Sequence, residues 1–379
     1  MQSKIKIALC GPCYGHNVYP VLALLNKMPT IEVTFFYKGK SEHKSTFANI
    51  DFVQANSIKC FSKLIHCKQY DIIWILGSTF FLLTIHLISI FRSRKQRVVF
   101  VPYGETILRK AVKKNTMGYL IKSALTKCDY VFFNWYGTVK NMLYKILKDY
   151  PSKIKWVPMY GLSEEYLSYS REAISQDAES VIIKNDFRNN KYKFFYPKTF
   201  SVASAHHLVA ESAKLLKEEE FDNFIIYFWP GSECNIEVKK RLIAQIADLE
   251  LSEFVKIIEQ DTLLSISDFC HIYSLMDCGL QIAIFDVFST TFYEPMMLKK
   301  DFIATAIEPY TAFEQVYKCN LDLVDLDVIS IKEQMKKKLQ GQVSSIEMKE
   351  KLYTIAQSDF IYEKNIAGLI EKILNDFEK

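Results

Sequence analysis

Glycine and proline are scarce, 12 and 10 among 379 residues, which excludes a collagen-like or Pro/Gly-rich low-complexity chain. The first residues hold no apolar run of signal-peptide length, because Lys4 and Lys6 interrupt a strand-like start. We therefore expect no secretory signal. The nine cysteines are odd in number and lie mostly in apolar runs. That pattern argues against a disulfide framework and for buried thiols in a reducing cytoplasm. Acidic residues are few in the first 160 positions, 7 against 24 Lys and Arg, a net of +17. The remainder carries 36 acidic against 24 basic residues, a net of −12. So sharp a split points to a polyanionic surface facing the first part, membrane or nucleic acid. No nucleic-acid-binding module and no aromatic–glycine RNA signature accompanies the charge, so membrane is the preferred partner and no nucleic acid is expected.

What is present is a globular composition, 49% apolar and 14% aromatic, long enough for two domains with well-buried cores. Residues 4–9 read as a buried strand that runs into Gly11-Pro-Cys-Tyr-Gly15-His16 and then a helix over 18–25, with Pro20 tolerated in its first turn. Strand, glycine loop and helix open a Rossmann-like unit, with Gly11 and Gly15 a weak fingerprint by themselves. Further strands are expected at 31–38 and 71–76. From Ile72 to Phe91 no charged residue interrupts the chain, which raises a transmembrane helix. Gly77-Ser78 divides that run into a strand and a helix over 80–91, too short to span and apolar enough to touch lipid. Arg92, Arg94, Lys95 and Arg97 follow, then a strand at 98–101 and a helix over 106–125 with Arg109, Lys110, Lys113, Lys114 and Lys122. A basic helix beside an apolar one is the pattern of an interfacial anchor on anionic lipid. Strands at 129–135 and 155–158, with a helix over 138–147, complete this half.

Residues 161–191 are polar, acidic and poorly periodic, which places a boundary there. The expected domains are 1–165, a linker at 166–190, and 191–360, followed by a final helix in 361–379. In the second domain, strands at 192–196, 223–229 and 255–258 alternate with helices at 203–216, 236–249 and 265–274. Strands spaced by helices argue for parallel βαβ units. Cys10-Gly-Pro-Cys13 reproduces a thioredoxin-type redox run, and a low-pKa thiolate at a helix N-terminus has a physical rationale. The chain is several times too long for that fold and no Trp precedes the motif, so redox chemistry ranks last.

The most informative stretch is Phe-Asp286-Val-Phe-Ser289-Thr290-Thr291-Phe-Tyr-Glu294, with two acids eight positions apart. A strand-like run at 278–285 feeds in and a helix at 292–299 leads out. The acids then bracket a turn at the carboxyl end of a strand, where open α/β sheets bind ligands. Helix N-terminal N–H groups with three hydroxyls suit a diphosphate, and Glu294 suits a ribose diol. A plain helix entry whose acids favour the dipole explains the spacing too. The pattern resembles the E-x7-E motif of GT-B glycosyltransferases of the family 4 type, with Asp in place of the first Glu.

That resemblance implies an α/β GT-B fold, two Rossmann-like domains facing each other across a cleft, with the last helix returning to the first domain. It implies a sugar transferred from a nucleotide-sugar to a membrane-associated glycan or lipid-linked acceptor in bacterial surface polysaccharide assembly. The enzyme would be peripheral on the inner face of the plasma membrane. It implies no cofactor beyond the donor and no essential metal, and no DxD metal signature stands in a supporting context. Lys198, just after the first strand of the second domain, matches the family's diphosphate lysine, while the usual nearby arginine is absent. Gly231 lies where the family has a glycine turn lining the nucleotide cleft, although a plain turn explains it. Asp286 would lie near the transferred sugar, and Gly11 and Gly15 on the acceptor side. Glu105 and His16 are candidate acceptor-side groups, with a helix N-terminal acid and a packed loop histidine as the alternatives. His206-His207 read as helix surface. The alternatives to a glycosyltransferase are a polyol-phosphate transferase, a nucleotide-sugar epimerase, or an inactive membrane scaffold.

Overall fold

The computed structural model describes residues 4–12, 15–38, 47, 49–54, 67–93, 95–102, 106–133, 137–157, 161–168, 174–230, 234–259, 264–286 and 289–375. The chain forms two compact units, Met1–Met159 with Tyr362–Lys379, and Tyr160–Ile361.

In the first unit the strands are β1 (Ile5–Pro12), β2 (Ile31–Lys38), β3 (Ile50–Gln54), β4 (Ile72–Leu76), β5 (Arg97–Val101), β6 (Tyr130–Phe133) and β7 (Ile154–Trp156). They form one parallel sheet in the order β3-β2-β1-β4-β5-β6-β7. All five side chains of β4 are buried, as a strand covered on both faces requires. Gly77 follows with φ 51°, a left-handed conformation that glycine adopts without a Cβ penalty. Ser78 then caps helix α2 (Thr79–Phe91), accepting a bond from the Phe81 N–H at 3.4 Å. Strand and helix thus divide the long apolar run. Among the described residues no helix is long and apolar enough to cross a membrane.

Helix α1 (Gly15–Lys27) packs on this sheet through Val18, Val21, Leu22 and Leu25, and the C-terminal helix (Tyr362–Asn375) joins the same core through Ile366, Leu369, Ile370 and Ile373. That i, i+3, i+4, i+7 spacing is one apolar helix face.

Several sequence expectations are corrected here. The helix expected over 106–125 is two, α3 (Thr106–Ala111) and α4 (Thr116–Lys127). Asn115 caps the second, accepting from the Gly118 N–H at 2.9 Å, and a Cβ on Gly118 would stand 2.1 Å from the Lys113 carbonyl oxygen. Strand β3 went unread. Gly11 lies inside β1, paired with Tyr37, and not in the loop that follows. Cys10 is also in β1, inside a strand and 1% exposed, while Cys13 lies outside the described residues. Residues 166–190, read as a linker, contain helix Gln176–Lys184, capped by Ser175 and buried through Ala178, Val181 and Ile182.

The second unit holds β8 (Tyr192–Tyr196), β9 (Phe224–Phe228), β10 (Val255–Ile257), β11 (Cys278–Gln281), β12 (Asp301–Thr305) and β13 (Asp322–Val324). Their order, β10-β9-β8-β11-β12-β13, is again all parallel. The chain winds from β8 toward one edge and resumes at β11 toward the other, so a topological switch point lies between β8 and β11. The strand expected over 278–285 ends at Gln281. Ala283 instead makes an antiparallel bridge to Ser204, and Ile284 and Phe285 are exposed.

Candidate functional site

Three adjacent strands of the second unit, β8, β11 and β12, deliver one polar group each just beyond their carboxyl ends: Lys198, Asp286 and Tyr310. Lys198 and Asp286 flank the switch point and are both 7% exposed. Lys198 Nζ forms an ion pair with Asp286 and donates to Ser289 Oγ at 3.0 Å. Asp286 also accepts from the Ser289 N–H at 3.2 Å, from Ser289 Oγ at 3.0 Å and from the Tyr310 hydroxyl. The Tyr310 ring is held by Phe292, stacked at 4.2 Å with planes 4° apart. A buried charge pair is stable only when its remaining lone pairs and protons are satisfied, and these partners satisfy Asp286.

Ser289 precedes helix α10 (Thr290–Met297) as its N-cap, yet its side chain makes no capping bond. Its hydroxyl instead joins Asp286 to Thr291 Oγ1 at 2.7 Å, and Thr291 donates to Gln281 Oε1 at 2.8 Å. Ser289 has one proton for two acceptors, Asp286 and Thr291, so the cluster has spare acceptor capacity. Among the described residues Gln281 Nε2 is buried with no partner. Thr290 is exposed at the helix start.

Glu294, one turn into α10, is 4% exposed. Its Oε1 accepts from the Tyr166 hydroxyl at 2.9 Å, and its Oε2 is buried and, among the described residues, has no hydrogen-bond partner. Burial raises its pKa from 4.5 to about 7, against the lowering effects of the Tyr166 bond, the Lys198 charge and the nearby Thr290 side chain, which makes no bond of normal geometry to it. The Tyr166 phenol is pushed well above 10, first by its own burial and then by the Glu294 charge.

The sequence reading missed Tyr166 and Tyr310, which no spacing links to the motif. It also misplaced His206. That side chain is 1% exposed, packed among Tyr196, Phe200 and Phe228, and Nε2 lies 3.1 Å from the Lys198 carbonyl. Burial lowers its pKa from 6.5 to about 3, so the ring is neutral and Nε2, facing a carbonyl, carries the proton. His207 is exposed.

Glu105, Arg94 and Gly231 lie outside the described residues. Gly15 and His16 open α1 in the first unit. Among the basic residues there, Arg92 is tied down by an ion pair to Asp129 at 2.9 Å and is no free surface charge. Arg97 opens β5, its N–H bonded to the Asp71 carbonyl at 2.9 Å. Lys95, Lys110, Lys113 and Lys114 are exposed. Beside them on α2 and α4 stand the exposed apolar residues Leu87, Ile90, Phe91, Met117, Tyr119 and Leu120. Among the described residues no group of three or more His, Cys, Asp or Glu is placed to hold a metal ion.

No protein-family model matches the sequence, and no curated protein matches it by sequence. Solved structures do match in fold. A glycosyltransferase from Rickettsia africae ESF-5 is similar with a TM-score of 0.78 at 16% identity, covering 98% of this chain and 99% of its own. Anabaena Alr3699/HepE in complex with UDP gives 0.76 at 11% identity, over 98% and 100%. Sucrose-phosphate synthase from Thermosynechococcus elongatus gives 0.69 at 13%, over 99% and 100%. The fold is GT-B, with two Rossmann-like domains.

Proposed function

We propose that this protein transfers a sugar from a nucleoside-diphosphate sugar to a membrane-associated acceptor. The observation that carries the reading is the Lys198–Asp286–Ser289 cluster at the switch point of the second sheet, beside the N-terminus of α10. Similar structures hold UDP and UDP-glucose, which supports a nucleotide-sugar donor.

The residues suit the chemistry of diphosphate departure. Helix N-terminal N–H groups with the hydroxyls of Ser289, Thr290 and Thr291 attract a diphosphate. Glu294 offers its unpartnered Oε2 to a ribose hydroxyl. Lys198 supplies a point charge that grows in value as the leaving diphosphate gains negative charge. Asp286 holds that ammonium in place before the donor arrives, and Tyr310 holds Asp286. This division of work needs no metal in the pair's neighbourhood. Gly231 as a donor-side residue and Glu105, His16 and Gly15 as acceptor-side groups remain part of this proposal, resting on the family resemblance alone.

We assign the acceptor side to the first unit, and read the protein as peripheral on the inner face of the plasma membrane in surface polysaccharide assembly. The membrane part is supported by the net charge of +17 over residues 1–160 and by exposed Lys95, Lys110, Lys113 and Lys114 together with the apolar residues exposed on α2 and α4; surface polysaccharide assembly is what the family resemblance implies.

Thermal melts with a panel of nucleotides and nucleotide sugars test the donor reading. A ligand at ~100 times its dissociation constant stabilises by ~2.7 kcal/mol. A saturable rise with a nucleoside diphosphate that Lys198→Ala abolishes is the expected result. No response to any nucleotide would leave an inactive scaffold as the better reading.

A further inference from the structure

A pocket of about 300 Å³ opens in the second unit between the segment that follows β8 and helix α8 (Ile236–Asp248). Ser201, Ser204 and His207 line one side, Arg241 and Leu242 the other. Helix α7 (His206–Glu218) begins at its wall, and Ala205 at the N-cap supplies no capping side chain. Among the described residues the His206 and His207 backbone N–H groups have no hydrogen-bond partner. A helix start left open in this way carries a partial positive charge.

Two further observations at the pocket point the same way. Arg241 is exposed and, among the described residues, has no ion-pair or hydrogen-bond partner. It presents its guanidinium free for a planar, two-toothed contact with an oxyanion. His206, 1% exposed and lining the pocket, has a buried Nδ1 without a hydrogen-bond partner. The Ser204 backbone, which also acts on this ring, gives it no bond of normal geometry. A buried polar atom left unmatched calls for an explanation, commonly a missing water or ligand. A ligand group with an acidic oxygen suits the open helix start and Arg241 together. Glu211, on α7, is engaged by the Gln245 amide at 3.0 Å.

We propose that this pocket is a second binding site, for a small molecule bearing a phosphate or carboxylate group, with Arg241 as its charge partner and the α7 N-terminus as its cradle. It is built from residues other than the donor cluster, and does not rest on the proposed sugar transfer. It does back onto that cluster. His206 bonds the Lys198 carbonyl, Ser204 Oγ donates to the Thr199 carbonyl at 2.9 Å, and the Ile284 N–H donates to the Ala203 carbonyl at 2.9 Å.

Inorganic phosphate, titrated at constant ionic strength with melting temperature as readout, tests the site. The wild type and Lys198→Ala should both show a saturable rise. Arg241→Gln, at an exposed position that leaves the fold intact, should weaken apparent affinity by roughly tenfold or more, the worth of a charge-assisted hydrogen bond. His207→Gln should weaken it less. The proposal is overturned if Arg241→Gln responds like the wild type, or if no rise saturates. It is equally overturned if Lys198→Ala removes the response, because phosphate then sits at the donor cluster.

Discussion

The Tyr166 hydroxyl donates to Glu294 Oε1 at 2.9 Å and leaves Oε2 of the same buried carboxylate without a partner. Tyr166 therefore fixes the plane of the carboxylate while one acceptor stays vacant. Because that bond lowers a pKa that burial has raised to about 7, the carboxylate is only partly ionised near neutrality. Nucleotide affinity should accordingly rise as pH passes upward through about 7, since the ionised form is the better acceptor for ribose hydroxyls. Tyr166→Phe removes a lowering influence, so the midpoint should move to higher pH. At neutral pH the variant should bind a nucleoside diphosphate roughly three- to tenfold more weakly, about the worth of one ordinary hydrogen bond. Titration calorimetry at several pH values reads both effects. Tighter binding by Tyr166→Phe would show that the phenol competes with the ribose.

The same group should make the protein less stable at higher pH. Its folded pKa of about 7 lies above the ordinary 4.5, so between those values the folded state holds a proton that the unfolded state has released. Stability from this group is greatest below about 4.5 and falls as pH rises to about 7, where the loss is complete. Glu294→Gln removes the titration. It should melt higher than the wild type above neutrality by about 1–3 kcal/mol, with the difference vanishing in acid. It should also raise the donor KM by roughly ten- to a hundredfold. A stability difference independent of pH would mean that Glu294 titrates normally.

The Lys198–Asp286 pair allows a sharper test. Breaking a buried pair from one side leaves an uncompensated charge and costs about 3–5 kcal/mol. Asp286→Asn should therefore lower the melting temperature and, by loosening Lys198, lower kcat more than it raises KM. Tyr310→Phe leaves the pair intact and should lose about 1 kcal/mol, with a smaller fall in kcat. Lys198→Ala should both lower kcat and raise KM. Steady-state kinetics with thermal melts on the three variants decide this. Wild-type kinetics in all three would place the chemistry elsewhere.

What the sequence showed depended on how local the signal was. Strand β2 occupies the stretch that alternation and β-branching mark out, because neighbouring residues carry that information. The helix break at Asn115 was hidden, since a lysine-rich run looks continuous until the capping bond to Gly118 is seen. The pairing of Asp286 with Glu294 was visible as spacing. Lys198 was read as a donor-site residue through the resemblance, but its contact with Asp286 was not visible, nor was Tyr166, because Tyr166 is 128 residues from Glu294 and Lys198 is 88 from Asp286. Proximity across such distances is fixed by sheet order, which no local pattern encodes. His206 was misread for a related reason. A histidine pair at a helix start looks polar, and only the Tyr196, Phe200 and Phe228 rings show that one of the two is core.

The structure also changes which substitutions test membrane binding. Arg92 is half of an ion pair with Asp129, whose carboxylate also accepts from the Val98 N–H at 2.8 Å. Reversing Arg92 would disturb the entry to β5 and confuse folding with binding. Lys110, Lys113 and Lys114 are exposed around the α3–α4 junction, so reversing these three leaves the core alone. Tyr119 and Leu120, 66% and 42% exposed, report the apolar contribution. The wild type should pellet with anionic liposomes and not with neutral ones, and come off as salt rises, because surface charge acts within about one Debye length, ~8 Å at physiological ionic strength. Each lysine near an anionic surface contributes about 1 kcal/mol, so the triple Lys→Glu variant should lose more than a hundredfold in affinity. Tyr119→Ala with Leu120→Ser should weaken binding with little change in its salt dependence. Equal binding to neutral and anionic vesicles would rule out the electrostatic part of this reading, and full binding by the triple variant would move the contact to another face.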